Sequence, residues 1–183
     1  MKGIIFTEFL ELVEQEYGYE AVDAILLNAD LPSGGIYTSI GTYGHSEMRV
    51  LMEQLSIYAK KSIGEVQKNF GKHLFKGMIG KYKRYIKYTD NAFALLASID
   101  NHIHVEVLKW YPDAEVPHFD IEQQSPTCLR MVYSSERKMA DFAHGLIEGC
   151  LEFFNEKAEI VRRDISDDGT KTEFIITKLD ANA

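Results

Sequence analysis

Cysteine, proline and long apolar runs are all scarce in this chain. The two cysteines, Cys128 and Cys150, match no metal-binding or redox spacing. Their scarcity excludes a disulfide framework and implies unpaired thiols in a reducing compartment. No apolar stretch approaches the ~20 residues a membrane helix needs, so no membrane association is expected. The start, MKGIIFTEFLELVEQ, opens apolar but meets Glu8 and Glu11 too early for a signal-peptide core. A cytoplasmic location follows as the expectation. Positive charge is also in deficit: 20 basic residues stand against 28 acidic ones, a net charge of −8. General nucleic-acid binding needs a basic footprint and is not expected. A Ser/His/Asp or Cys/His set with motif support is missing too, so no enzymatic turnover is expected.

What is present reads as one domain over 1–183, with enough chain to bury a core and a cofactor. Phe6, Phe9, Leu10 and Val13 recur at helical spacing, and a second helix is expected over Tyr19–Leu27. Leu31–Ser46 is turn-rich and reads as an irregular connection. Helical patterns resume at Glu47–Lys60 and at Ile63–Leu74, the latter with Ser62 as a cap. One long helix is expected from Asp90 to Trp110, stopped by Pro112. Beyond Pro117 the pattern changes to a strand at Cys128–Ser134 and a helix near Lys138–Glu156. Two strands near Glu159–Ile165 and Thr172–Lys178 then flank the hairpin signal Asp167-Asp168-Gly169. The fold class is α+β: a helical amino-terminal half packed on an α/β half with a small antiparallel sheet.

Within YSSERK, the residues Tyr133, Ser135 and Arg137 alternate, and on a strand they would share one face. Two hydroxyls and a guanidinium fork suit a pair of carboxylates. The same tripeptide also fits a solvated edge strand. Upstream, His104 lies on a mostly apolar helical face with Ala97, Ile103, Val107 and Leu108, and with Asp100 one turn back. His102 shares its face with Ser98 and Glu106 and reads as solvated. A histidine on such a face is also what a satisfied core histidine looks like. Taken together, a helical histidine and a carboxylate clamp suggest haem, with iron on the histidine and propionates in the clamp.

Over essentially its whole length the chain resembles the H-NOX family, the haem–nitric oxide/oxygen binding domains that include the sensor of soluble guanylate cyclase. The likeness runs through MKGIIF, IDNHIHVEV, the WYP that follows His104, Pro117 and YSSERK. It implies haem b between the two halves, with His104 as the proximal iron ligand. Tyr133, Ser135 and Arg137 would hold the propionates, and Pro117 would press on the macrocycle and bend it. Ile5, Phe9, Leu74, Phe142 and Leu146 would complete the lining. Where some members carry a zinc site of cysteines and histidines around and after the clamp, this chain has Met139 and Ala140, so such a zinc is not expected.

Oxygen-binding members place a distal tyrosine five residues after the clamp arginine; that position here is Phe142. Phe9 and Leu74 occupy the positions that support the tyrosine, and both are apolar. Bound oxygen needs a donor for its partial charge, whereas nitric oxide and carbon monoxide bind without one. The resemblance therefore implies a nitric oxide sensor that discriminates against oxygen and also takes carbon monoxide. Nitric oxide would weaken the iron–His104 bond in trans, so that the His104 helix shifts and the bend against Pro117 relaxes. With no output domain in view, signalling is expected in trans, to a histidine kinase or a cyclic-di-GMP enzyme. A haem carrier or storage protein, or an oxygen-binding haem protein, is the alternative. His144 points away from Phe142 on a helix and reads as a surface or partner-facing residue rather than a distal acid–base group. Lys72, Lys76, Lys81, Lys83, Arg84 and Lys87 form an acid-free basic run interleaved with Phe75, Tyr82, Tyr85 and Tyr88. It reads first as a solvated face and second as a partner-docking face.

Overall fold

The computed structural model describes residues 1–81 and 89–179. Four helices come first: α1 (Gly3–Tyr17), α2 (Tyr19–Leu27), α3 (His45–Ala59) and α4 (Ile63–Lys81). Phe6, Phe9, Leu12 and Val13 recur on one side of α1 and are buried, which is why this segment folds as an amphipathic helix. They pack with Met48, Leu51, Met52 and Leu55 of α3 and Val66, Phe70 and Leu74 of α4 into a first core. At the start of α4 the Ser62 Oγ accepts from the Glu65 amide, and Glu65 accepts in return from the Ser62 amide at 2.8 Å. This reciprocal cap realises the expected start. The irregular stretch before α3 is pinned by the buried Glu47, whose carboxylate accepts from the Ser33 and Tyr37 hydroxyls.

The helix expected from Asp90 to Trp110 is not continuous. It divides into α5 (Ala92–Ala97), a π-helical turn at Ile99–Ile103, and α6 (His104–Trp110). Asn91 caps α5 by accepting from the Ala94 amide. The amides of Ile103 and His104 then reach five residues back, to Ser98 and Ile99, and widen the helix there. Such turns concentrate at functional sites because they re-aim the side chains that follow.

The sheet is antiparallel, in the order β1-β2-β4-β3, with β1 (His118–Ser125), β2 (Cys128–Ser134), β3 (Ala158–Asp164) and β4 (Lys171–Lys178). Helix α7 (Ala140–Phe153) joins β2 to β3. Phe119, Leu129, Met131, Tyr133, Phe174 and Ile176 line one face of the sheet and form a second core with α5 and α7. The β2 assignment agrees with the sequence reading, and β3 and β4 differ from it by about a residue. Strand β1 is absent from that reading. Its HFDIEQQS carries two apolar residues and a polar half that sits on an edge, so the alternation is too weak to see. The architecture is α+β, as expected.

Helices α4 and α7 bring the two halves together by close backbone approach. A Cβ on Gly71 would lie 2.2 Å from the Phe142 carbonyl oxygen, and one on Gly145 would lie 2.0 Å from that of Lys68. Only glycine permits this separation. Among the described residues, no helix is long and apolar enough to cross a membrane.

Candidate functional site

His104 is the first residue of α6, just past the π turn, and its side chain is 15% exposed. Its Nδ1 lies 2.8 Å from Asp100 Oδ1. No described residue engages Nε2, so the ring is oriented through one nitrogen with the other left for a ligand. Burial is the main influence on this imidazole and lowers its pKa below the ordinary histidine value, against the pull of Asp100. The neutral, metal-binding form is thereby favoured. Sequence reading placed Asp100 one turn from His104 without assigning it as the partner, although i,i+4 spacing on a helix is the signal that finds it.

Asp100 does more than hold His104. Its Oδ2 accepts from the Phe119 amide at 2.9 Å, tying the start of β1 to the π turn. The Phe119 ring lies 6.1 Å from that of His104 and 5.6 Å from that of Tyr133. His104, Phe119 and Tyr133 thus form one continuous row. Pro117, half-buried, precedes β1 directly. His102 is exposed, in agreement with its solvated reading.

The three clamp residues are not brought together by strand alternation, as the sequence reading expects. Strand β2 ends at Ser134. Only Tyr133 lies in it, and Ser135 and Arg137 sit in the turn beyond. That turn closes with the Lys138 amide on the Ser135 carbonyl and needs a left-handed Lys138, φ 55°. The turn itself links the residues. The Arg137 amide donates to Ser135 Oγ at 3.2 Å, and the Met139 amide donates to the Tyr133 hydroxyl at 3.1 Å. The residues come together, by a different geometry from the one the alternation suggested.

Each of these groups retains unused donor capacity. The Tyr133 side chain is buried, its hydroxyl accepts from Met139, and no described group takes its proton. Ser135 Oγ likewise accepts without a described acceptor of its own. Arg137 is 15% exposed, and among the described contacts its guanidinium meets a single carboxylate: Nη2 donates to the solvent-exposed Glu115 at 3.1 Å. A guanidinium has five N–H donors. This donor set fits a ligand that brings carboxylates, and the free His104 nitrogen fits a metal. Both match haem.

The remaining predicted lining residues gather on the first core. Phe9 and Leu74 are buried in it, and Ile5, Phe142 and Leu146 are half-buried against it. Phe70, which the sequence reading passed over, joins them: its ring is 5.1 Å from Phe9 and 5.1 Å from Phe142. None of these side chains carries a hydrogen-bond donor.

Two other expectations are corrected. His144 is not a surface residue: its side chain is 15% exposed, its Nε2 is 3.3 Å from Glu148, and its ring packs 5.7 Å from Phe174 on the sheet. Lys72 and Lys76 are not a free basic face. Lys72 pairs with Glu148 and Glu152, and Lys76 with Glu152, so this part of α4 docks on acidic α7. Phe75 packs against the second core. Lys83, Arg84 and Lys87, with Tyr82, Tyr85 and Tyr88, lie outside the described residues. A cleft of about 590 Å³ beside Lys68, Lys72, His144 and Glu148 includes none of the residues predicted for the site.

The Haem-NO-binding family model matches residues 2–162. The Fe(II) unliganded H-NOX protein from K. algicida is 45% identical, with TM-score 0.94 over 100% of this chain and 99% of that one. An H-NOX protein from Shewanella woodyi, solved with IWP-051 bound in the Fe(II)CO ligation state, is 40% identical. Its TM-score is 0.84 over 100% of this chain and 97% of that one. An H-NOX protein from S. oneidensis in the Fe(II)NO ligation state is 26% identical, with TM-score 0.90 over 98% and 100%. No curated protein matches the chain.

Proposed function

The chain belongs to the Haem-NO-binding (H-NOX) family of haem-based gas sensors, and on that premise we propose that it is a nitric oxide sensor that regulates a separate signalling partner. The observation that carries this reading is His104, oriented by Asp100 through Nδ1 and with no described residue engaging Nε2. Haem b, when bound, would supply a ferrous iron able to take an imidazole and a diatomic gas. His104 would be the protein ligand to that iron. Tyr133 and Ser135 would hold the propionates by hydroxyl hydrogen bonds, and Arg137, whose guanidinium meets exposed Glu115, would pair with the same groups. Pro117 would pack against the macrocycle.

Phe142, Phe9, Leu74, Leu146 and Ile5 line the gas side. With no donor among them, the partial negative charge of bound oxygen goes uncompensated, while nitric oxide and carbon monoxide need no such partner. Helix α6 begins at His104, so a change in how that ring is held passes directly to α6 and, through Asp100, to β1. A histidine kinase or a cyclic-di-GMP enzyme is the partner this output suits, working in a cytoplasmic setting. The chain acts here as a single domain over 1–183 and turns over no substrate.

The test is a visible spectrum of the reduced, purified protein, taken before and after air and then nitric oxide, beside His104→Gly. A five-coordinate ferrous Soret band, unmoved by air and shifted by nitric oxide, is expected; His104→Gly should lose the protein-ligated ferrous form. A stable oxy spectrum would instead make this an oxygen-binding protein. Rapid haem transfer to apomyoglobin without gas-dependent regulation would make it a carrier.

A further inference from the structure

We propose that His118 is a positioning residue for His104, setting through the shared Asp100 carboxylate how much electron density the His104 ring brings to iron. The proposal rests on the reading of His104 as the iron ligand. Asp100 is contacted from two sides. Oδ1 meets His104 Nδ1 at 2.8 Å, while Oδ2 accepts from the Phe119 amide at 2.9 Å and lies 2.6 Å from His118 Nδ1. One oxygen thus faces the helix and the other the first two residues of β1. Exposure falls along the row, from 71% at the His118 side chain to 21% at Asp100 and 15% at His104. The outer imidazole stands in solvent, the inner one is buried, and one carboxylate joins them.

The physics of the arrangement has a definite sign. A carboxylate that accepts from the Nδ1–H of a metal-binding histidine pulls on that proton and makes Nε2 a stronger donor to the metal. Any further donor on the same carboxylate draws its charge away and weakens the pull. The Phe119 amide is such a donor, but it is backbone and fixed by the strand. His118 is the side chain that can be changed. A group that merely held Asp100 in place would act in the opposite sense, because losing it would loosen the Asp100–His104 contact.

The experiment uses the full chain loaded with ferrous haem and reads the iron–histidine stretch by resonance Raman, with the ferric/ferrous potential as a second readout. The variants are His118→Ala, His118→Arg, Asp100→Asn and His104→Gly. His118→Ala is expected to raise the stretching frequency and lower the potential. His118→Arg, which places a cation beside the same carboxylate, should return both toward wild type. Asp100→Asn should move both the other way. An unchanged stretch in His118→Ala, or a fall resembling that of Asp100→Asn, overturns the proposal while leaving His104 as the ligand. An iron–histidine stretch that persists in His104→Gly removes that ligand assignment and this proposal with it.

Discussion

His144 shows how burial can outweigh a neighbouring charge. Desolvation is the largest influence on its ring and lowers the pKa below 6.5, aided by the Lys68 cation and opposed by Glu148. Between that lowered value and 6.5 the unfolded chain binds the proton that the folded chain refuses, so stability rises with pH across the window. The contribution is complete above 6.5 and is lost as pH falls toward the folded-state value. His144→Gln should therefore show a flatter fall of Tm below pH 6.5 than wild type. Parallel curves would remove this account of His144. At this scale the sequence was informative about residue type and less so about surroundings. His104, Tyr133, Ser135 and Arg137 stood out as candidates by their chemistry and spacing, and the family resemblance gave them their proposed roles. The burial of His144 was not, because helical phase gives its direction but not the sheet that covers it.

Among the elements, α4 and α7 depend most on what is missing from their side chains. The Gly145 position faces the Lys68 carbonyl so closely that a methyl group must separate the helices. Gly145→Ala is expected to destabilise the fold, since overpacking costs about 1–3 kcal/mol and exceeds the roughly 1 kcal/mol that alanine gains over glycine in a helix. Gly80→Ala is the control: no described residue lies within 4 Å of its added Cβ, so that variant should be neutral or more stable. Urea unfolding of the two variants checks the contrast, and equal midpoints would mean that the seam yields at no cost. Helix α4 was readable from its apolar spacing and capping box. The π turn was not, because Ile99–Ile103 fits an ordinary helix equally well and only the packing of Ile99 and Ile103 on the second core accompanies the wider turn.

For the whole molecule, two cores are joined along α4 and α7 and approach again where the chain start meets the loop after α6. Lys2 pairs with Asp113 at 3.2 Å, and the Arg137 cation helps to lower the pKa of the Met1 amino group, after burial. A group held by His104 and Arg137 while lined by α1 and α7 would tie these halves together. Haem loading is therefore expected to raise Tm, by about 2.7 kcal/mol of stability when free haem is 100 times its Kd. Arg137→Ala should weaken haem retention by roughly 10- to 100-fold, from a lost charged hydrogen bond of about 1.5–3 kcal/mol. Apomyoglobin transfer rates measure it; unchanged transfer would place the propionates elsewhere.

Local pattern by itself determined the helical first half, the β2 strand and the β3–β4 hairpin, and it singled out His104, Tyr133, Ser135 and Arg137 as candidates whose roles came from the family resemblance. Each depends on periodicity, capping or side-chain chemistry within a few positions of the chain. Tertiary structure alone decided that Asp100 also accepts from the start of β1, that Arg137 reaches Glu115, and that the α4 lysines pair with α7. These contacts join residues whose separation in sequence carries no pattern, and they form only when packing brings distant charges and donors within bonding distance.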